Sequence, residues 1–391
     1  MSSLTYSVDG PPASPNPPLL LGTSLGTTAA MWAATVPVLA RERAVIRWNL
    51  PGHGGSPADL VPTDGSATIA DFAARVLALA DSLGIDRFDY AGDSFGGAIG
   101  TWLAAHHPDR VNALATCCSS AHFGDPENWH ARAKKVREEG AAAMAELADT
   151  APNRWFPADS AARTSPETAE LIATHKAVYP ASYAACCDAI AALDLTEALA
   201  AISARTLVIA GRQDVATPPA HARELADGIP ASSLVELAGV GHLAPYEAPA
   251  KVAAALVEHF TGDRYDAGMT VRRAVLGDAH VDRAIARTTP FTAPFQDLIT
   301  RYAWGEIWTR PGLDRRTRSC ITLTALVAHG HLDELAMHVR AARNNGLTAD
   351  EIGEVLLQTA IYCGVPAANA AFAVAQRVLT DIADIAAEEA S

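Results

Sequence analysis

The chain has 391 residues, 49% of them hydrophobic, which is ample for a buried core and more than most single domains hold. Its 30 basic and 44 acidic residues leave a formal charge of −14, which argues against nucleic acid or an anionic membrane as a partner. An anionic substrate would have to be met by a local group of arginines.

The N-terminus lacks a basic stretch followed by an apolar one, and no apolar run nears the roughly 20 residues that span a bilayer, so a soluble, cytoplasmic protein is expected. Residues 4–8 read as an edge strand, followed by a proline-rich connection, Pro11 to Pro18, that cannot be a central strand. Leu19-Leu20-Leu21 is a buried-type strand opening into Gly22-Thr23-Ser24-Leu25-Gly26, a small-residue loop whose backbone N–H groups are free to face a ligand. Ala44 to Leu50 is the next strand and runs into Pro51-Gly52-His53-Gly54-Gly55, where His53 reads as a turn histidine. Thr68 to Leu83 has apolar residues at helical spacing, with Thr68 and Asp71 as a capping pair and Gly84 as the stop.

Asp89 to Ala98 then reads as strand, sharp turn and helix. Its centre, Gly92-Asp93-Ser94-Phe95-Gly96, fits the G-x-S-x-G nucleophile elbow, in which a serine projects above the sheet edge from a strained turn. A helix from Gly97 to His106 and a strand from Leu114 to Ser119 follow. From about 121 to 199 the strand signal vanishes, and Ala-rich helical segments broken by prolines predict a helical cap inserted into the sheet fold. Strands resume at Thr206–Ala210, ending in Gly211-Arg212-Gln213-Asp214, and at Ser233–Leu237, ending in Gly239-Val240-Gly241-His242. The pattern predicts a mostly parallel sheet covered on both faces.

Ser94, Asp214 and His242 stand in the chain order of a hydrolytic triad, each where a strand hands over to a loop. A serine hydroxyl needs a histidine to take its proton and an acid to hold the imidazole tautomer. The developing oxyanion needs two preorganised donors, assigned here to the backbone N–H groups of Leu25 and Phe95. Taken together, residues 1–260 resemble the α/β-hydrolase superfamily, in particular 3-oxoadipate enol-lactonases. The resemblance rests on Leu21 to Gly26, the elbow Gly92 to Gly97, and Gly239-Val240-Gly241-His242-Leu243-Ala244-Pro245. In the cap, Trp129, Arg132, Lys134 and Lys135 are candidates to meet a substrate carboxylate, although basic residues on a lid helix are more often solvated.

Thr261 to Gly268 is a short polar seam, and the domain boundary is placed in it: 1–262 for the sheet domain and 263–391 for an all-α domain. Helical periodicity covers Val271–Thr288, Pro294–Ile307, Asp314–Gly330, Leu332–Asn345, Ala349–Tyr362 and Pro366–Ala387. Glu334 and His338 share a helix face, either as a coupled acid and imidazole or as a solvated surface pair. Trp304 and Trp308 are likewise four apart.

Residues from about 268 to 387 resemble the 4-carboxymuconolactone decarboxylase family. The motifs are Gly268 to Arg273, Ala303 to Leu313, Arg315 to Ser319, the His338 helix, and Ile361 to Ala368. The wider superfamily includes thiol reductases with C-x-x-C, but Glu334 occupies the second cysteine's place, and none of the six cysteines has C-x-x-C or zinc-ligand spacing, so reduced thiols without redox chemistry are expected. The resemblance implies a helical module that forms homo-oligomers. It also implies decarboxylation without metal or organic cofactor, because the lactone carbonyl itself accepts the electrons. On that reading His338 is the proton donor or oxyanion partner, Glu306 and Glu334 tune it, and Arg272, Arg273, Arg310 or Arg318 holds a carboxylate. The two halves imply a bifunctional enzyme of the β-ketoadipate pathway acting on small lactone carboxylates. The rival readings are a general esterase carrying a non-catalytic oligomerisation module, or one carrying a thiol-redox partner domain.

Overall fold

The computed structural model describes residues 3–12, 14, 16–260 and 264–389. The chain divides into two compact units, Met1–Phe260 and Thr261–Ser391. The boundary expected between 262 and 263 falls outside the described residues. The seam expected as far as Gly268 is shorter than its composition suggests, because a helix runs Arg264–Leu276. Gly268 is there for close approach: a Cβ on it would lie 2.1 Å from the Thr300 carbonyl oxygen.

The first unit is built on seven strands, β1 (Tyr6–Asp9), β2 (Leu19–Gly22), β3 (Val45–Trp48), β4 (Phe88–Asp93), β5 (Val111–Cys117), β6 (Arg205–Gly211) and β7 (Ser232–Leu237). They are ordered β1-β3-β2-β4-β5-β6-β7, and all neighbours are parallel except the edge strand β1 on β3. Alternation along each strand divides the core in two. Leu20, Ile46, Tyr90, Leu114 and Val208 pack on one face with Phe72, Val76, Leu79 and Leu103, whereas Leu19, Leu21, Val45, Ala91, Ala115 and Ile209 pack on the other with Trp32, Val36, Val252 and Leu256. The helix Ile69–Ser82 begins where expected, with Asp71 Oδ2 accepting the Thr68 N–H at 2.8 Å.

Between β5 and β6 the chain forms the cap, with no strand among its described residues. Pro126, Pro152, Pro166 and Pro180 each open one of its helices, at a position whose N–H has no helical partner to lose.

Helices make up the second unit. The single helix expected over Val271–Thr288 is broken at Gly277, which has φ +83° and separates Arg264–Leu276 from Asp278–Ala286. The stretch Ala293–Ile299 continues as a wide π-helical turn over Thr300–Ile307. Helices Arg315–His329, Leu332–Asn344, Ala349–Cys363 and Val365–Glu389 close around Leu323, Val327, Leu335, Val339, Leu356 and Ala371.

Candidate active sites

Ser94 follows β4 and precedes the helix Phe95–His106 with φ +52° and ψ −117°, a conformation a non-glycine residue adopts only under constraint. The constraint comes from the flanking glycines. A Cβ at Gly92 would lie 2.3 Å from the Gly96 carbonyl oxygen, and one at Gly96 would lie 2.6 Å from the Gly22 carbonyl carbon. The Ser94 N–H donates to Cys117 O at 2.8 Å, and the Ser119 hydroxyl donates to Ser94 O at 2.7 Å. With its backbone held on both sides, the hydroxyl donates to His242 Nε2 at 2.9 Å.

His242 Nδ1 in turn donates to Asp214 Oδ2 at 2.8 Å. The other carboxylate oxygen, Oδ1, accepts the N–H groups of Ala216 and Thr217 at 2.8 and 3.0 Å. Thr217 Oγ1 stands 2.8 Å from Oδ2 and 2.8 Å from Cys118 O. Burial pushes the Asp214 pKa up, but the His242 charge and these hydrogen bonds outweigh it and hold the carboxyl below its ordinary range. All three side chains are buried. Thr217 was not foreseen; its signal is an Asp followed at the third position by Thr, a local turn that ties the acid down.

Leu25 and Phe95, the expected oxyanion donors, have N–H groups without an acceptor among the described residues, whereas those of Ser24, Gly26 and Gly96 are taken by Met31 Sδ, His53 Nε2 and Thr23 O. His53 is more than a turn residue, since its ring joins the Pro51 turn to this loop. Asp93, beside the nucleophile, is fully buried and neither of its oxygens has a hydrogen-bond partner among the described residues; burial, then the Asp214 charge, raises its pKa well above the carboxylate range.

Of the cap residues, Trp129 donates its Nε1–H to Phe123 O at 2.7 Å and carries the Arg132 guanidinium over its ring at 4.6 Å. Lys134 and Lys135 instead pair with glutamates on the exposed cap surface. Arg154, whose pKa is lowered by burial and then by Arg132, and His175, which stacks between Trp155 and Tyr183, were not foreseen.

In the second unit Arg272 is buried, with Nη1 on Thr300 Oγ1 and Nη2 on Gln296 Oε1, each at 3.1 Å, and with Nε unpartnered among the described residues. Its neighbour Arg273 is tied to Asp278 and Asp282 at 2.9 and 2.8 Å. Arg310 is exposed, and its carbonyl accepts from Arg318, which is half-buried. His338 is half-buried, and its pKa is lowered by burial and then by His280, with the Glu334 charge opposing. Glu334 itself is exposed and Glu306 half-buried on the π-helical turn. His280 was missed because it lies beyond the unforeseen break at Gly277. The Trp304 and Trp308 rings lie 5.1 Å apart, and Trp304 packs with Val271, Val275 and Ala341 as core. Among the described residues no group of three His, Cys, Asp or Glu side chains is placed to hold a metal ion, and no helix is long and apolar enough to cross a membrane.

Comparison with known proteins separates the two units. Residues 17–249 match the alpha/beta hydrolase fold family model, and residues 293–377 match the carboxymuconolactone decarboxylase family model. The first part is 35% identical to 3-oxoadipate enol-lactonase 2 of Acinetobacter baylyi, over 63% of this chain and 89% of that protein. It also superposes on the crystal structure of an enol-lactonase from Burkholderia xenovorans with a TM-score of 0.62 and 37% identity, over 66% of this chain and 96% of that one. The last part is 49% identical to 4-carboxymuconolactone decarboxylase of Acinetobacter baylyi, over 30% of this chain and 89% of that protein.

Proposed function

This chain belongs to the α/β hydrolase fold family in its first part and to the carboxymuconolactone decarboxylase family in its last, and from that premise we propose that it catalyses two consecutive steps of the β-ketoadipate pathway. The second unit decarboxylates 4-carboxymuconolactone to 3-oxoadipate enol-lactone, and the first opens that lactone to 3-oxoadipate. The observation that carries the hydrolytic half is the chain of hydrogen bonds from Ser94 through His242 to Asp214, at 2.9 and 2.8 Å.

His242 takes the Ser94 proton as Oγ attacks the lactone carbonyl, and Asp214 steadies the imidazolium. The Leu25 and Phe95 N–H groups receive the oxyanion, a contribution of roughly 3 to 4 kcal/mol per donor. Collapse breaks the C–O bond to the ring oxygen, which leaves as an enol protonated by His242 and becomes a ketone. Water, deprotonated by His242, then releases the acyl group. Arg132, with its guanidinium positioned over the Trp129 ring, holds the carboxylate of the lactone side chain: it is the cap cation that lies over an aromatic ring instead of in a surface ion pair with glutamate.

In the decarboxylase unit the C–C bond to the carboxylate breaks and its electrons pass through the ring double bond to the lactone carbonyl as a dienolate. A proton returned to carbon gives the enol-lactone. Arg272 is the carboxylate holder among the four arginine candidates, because it is buried and, among the described residues, bonded only to the neutral Thr300 and Gln296. His338 supplies the proton, with Glu334 acting on it through charge and Glu306 as a further candidate partner.

We further propose that this unit forms homo-oligomers in the cytoplasm. Twelve of the sixteen exposed large hydrophobic side chains among the described residues lie in it, including Phe291, Ile361, Tyr362 and Val365. Light scattering of Ile361→Asp should show a smaller particle than that of the native chain, and an unchanged mass would reject this face as the interface.

The deciding experiment gives the full chain 4-carboxymuconolactone and follows carbon dioxide and 3-oxoadipate together. Ser94→Ala should release carbon dioxide while enol-lactone accumulates, and His338→Ala should release none. A native chain that releases no carbon dioxide sinks the decarboxylase reading in favour of an oligomerisation module, and Ser94→Ala forming 3-oxoadipate at the native rate rejects the triad.

A further inference from the structure

We propose that His53 is a positioning residue of the hydrolytic site: it anchors the Gly26 N–H and so locks the turn that leaves the Leu25 N–H open as an oxyanion donor. The inference rests on the oxyanion role given above to Leu25.

The loop after β2 closes a four-residue turn, Ser24 to Thr27, through the Thr27 N–H on Ser24 O at 3.1 Å. Gly26, third in the turn, has φ +79°, the left-handed value of a type II turn, in which the peptide between the second and third residues is turned over relative to type I. Neither central N–H is used by the turn itself. That of Gly26 donates to His53 Nε2 at 3.2 Å, and that of Leu25 has no acceptor among the described residues. The tautomer of His53 follows from its other nitrogen, because Nδ1 lies 2.9 Å from the Pro51 carbonyl oxygen and must be the donor there. Nε2 is then a pure acceptor, and a buried ring presents it without competition from water.

The cap also covers the same residue: a Cβ on Gly26 would lie 2.7 Å from His175 Nε2 and 2.8 Å from its Cε1. The turn is therefore gripped at one peptide. Removing the Nε2 acceptor leaves a buried N–H without a partner, and turning the Leu25–Gly26 peptide over relieves it. The flip changes Leu25 ψ and Gly26 φ and leaves the Ser24–Leu25 peptide unturned, so the Leu25 N–H is misaimed because the turn, released from its anchor, shifts as a unit relative to Ser94.

The test uses the full chain with His53→Leu, His53→Asn and His53→Gln. Gln places Oε1 where Nε2 stands, and Asn falls short of Gly26. Rates are measured on the enol-lactone and on a simple aryl acetate, with the inhibition constant of a boronic acid that forms a tetrahedral adduct on Ser94. Leu and Asn should lower kcat on both substrates by about ten- to a hundredfold with KM within about threefold, and weaken the boronate in parallel. Gln should recover to within about fivefold of native. An unchanged Tm of the first unit shows that the mutated unit is folded, and unchanged carbon dioxide release by the second unit shows that equal amounts of chain are compared. Native kcat in His53→Leu, a loss confined to KM, or His53→Gln no better than His53→Asn overturns the proposal, and the last comparison holds even if the Leu variant does not fold. Native protein that cleaves the aryl acetate but not the enol-lactone sinks the substrate reading alone, and the aryl acetate rates still decide the role of His53.

Discussion

Replacing Asp214 with Asn tests the hydrolytic site with the least steric change, and the surrounding donors dictate the outcome. Two backbone N–H groups, from Ala216 and Thr217, point at Oδ1 at 2.8 and 3.0 Å and demand an acceptor there. The amide oxygen has to occupy that place, because the opposite orientation would set NH2 against two N–H donors. Nδ2 then stands at the Oδ2 position, where Thr217 Oγ1 can accept from it and donate to Cys118 O. The fold therefore tolerates the change, but His242 does not. Its Nδ1, 2.8 Å away, now faces a donor and must accept, so the ring proton moves to Nε2, the nitrogen that has to take the Ser94 proton. A wrong tautomer of this kind costs about 10⁴ in kcat, which is roughly 5.5 kcal/mol of barrier. With 4-carboxymuconolactone as substrate the variant should release carbon dioxide at the native rate and build up enol-lactone in equal amount. A kcat for lactone opening within tenfold of native would refute the tautomer argument and with it the role given to Asp214.

Three further outcomes follow from buried charges and rings. Among the described residues His175 has no hydrogen-bond partner at either nitrogen, and burial, then nearby His53 and the cap arginines, lowers its pKa to about 3. A histidine depressed in the folded state binds its proton more readily when unfolded, so it costs stability as pH falls below its ordinary value near 6.5, by about 3 kcal/mol at pH 4.5. His175→Phe, which keeps the stack on Trp155 and Tyr183, should narrow the drop in Tm of the first unit between pH 7 and pH 4.5, and an equal drop would refute the assignment. Arg43→Leu strips the buried Asp89 of the guanidinium 2.5 Å away and frees the Phe260 carbonyl, which should destabilise the first unit by about 3 to 5 kcal/mol in urea unfolding; a loss below 1 kcal/mol would contradict the pairing. Arg272→Gln should raise KM for decarboxylation by more than about a hundredfold while Arg273→Gln changes it less than about threefold, because of the two only Arg272 lacks an acidic partner among the described residues; equal effects would remove Arg272 from the site.

The residues proposed for hydrolysis are legible in the sequence because each sits at a strand end beside a residue that marks the turn. Gly92 and Gly96 flag Ser94, Gly211 precedes Asp214, and Gly241 precedes His242. Long-range anchors leave no such mark. The partner of His53 is Gly26, 27 residues away on another strand's loop, and a Pro-Gly-His-Gly run looks the same whether its imidazole holds a loop or fills space. In the helical unit a period of 3.6 shows which residues share a face but not which face is covered. Arg272 and Arg273 are neighbours in sequence, yet one is buried against Thr300 and the other paired with two aspartates. Gly277 was unreadable for another reason: a glycine within a helical period is tolerated at about 1 kcal/mol, so only the observed positive φ distinguishes a break from a weak spot.

The difference in legibility follows from the chemistry each unit performs. Acyl transfer to a serine asks the protein to make a poor nucleophile reactive and to hold an oxyanion that water would otherwise solvate, so the groups must be fixed against strain. The φ of +52° at Ser94 and the four donors around the Asp214 carboxylate show that strain and its restraint. Loss of carbon dioxide from a carboxylated, unsaturated lactone supplies its own electron sink, leaving the protein to hold a carboxylate and deliver a proton. We assign those tasks to a buried guanidinium on neutral partners and a half-buried imidazole whose pKa is lowered by burial and then by His280, and neither requires a glycine, a strained turn or a fixed spacing in the chain. A site of the first kind writes a motif into the sequence, whereas one of the second kind is written in burial, and burial has to be read from the fold.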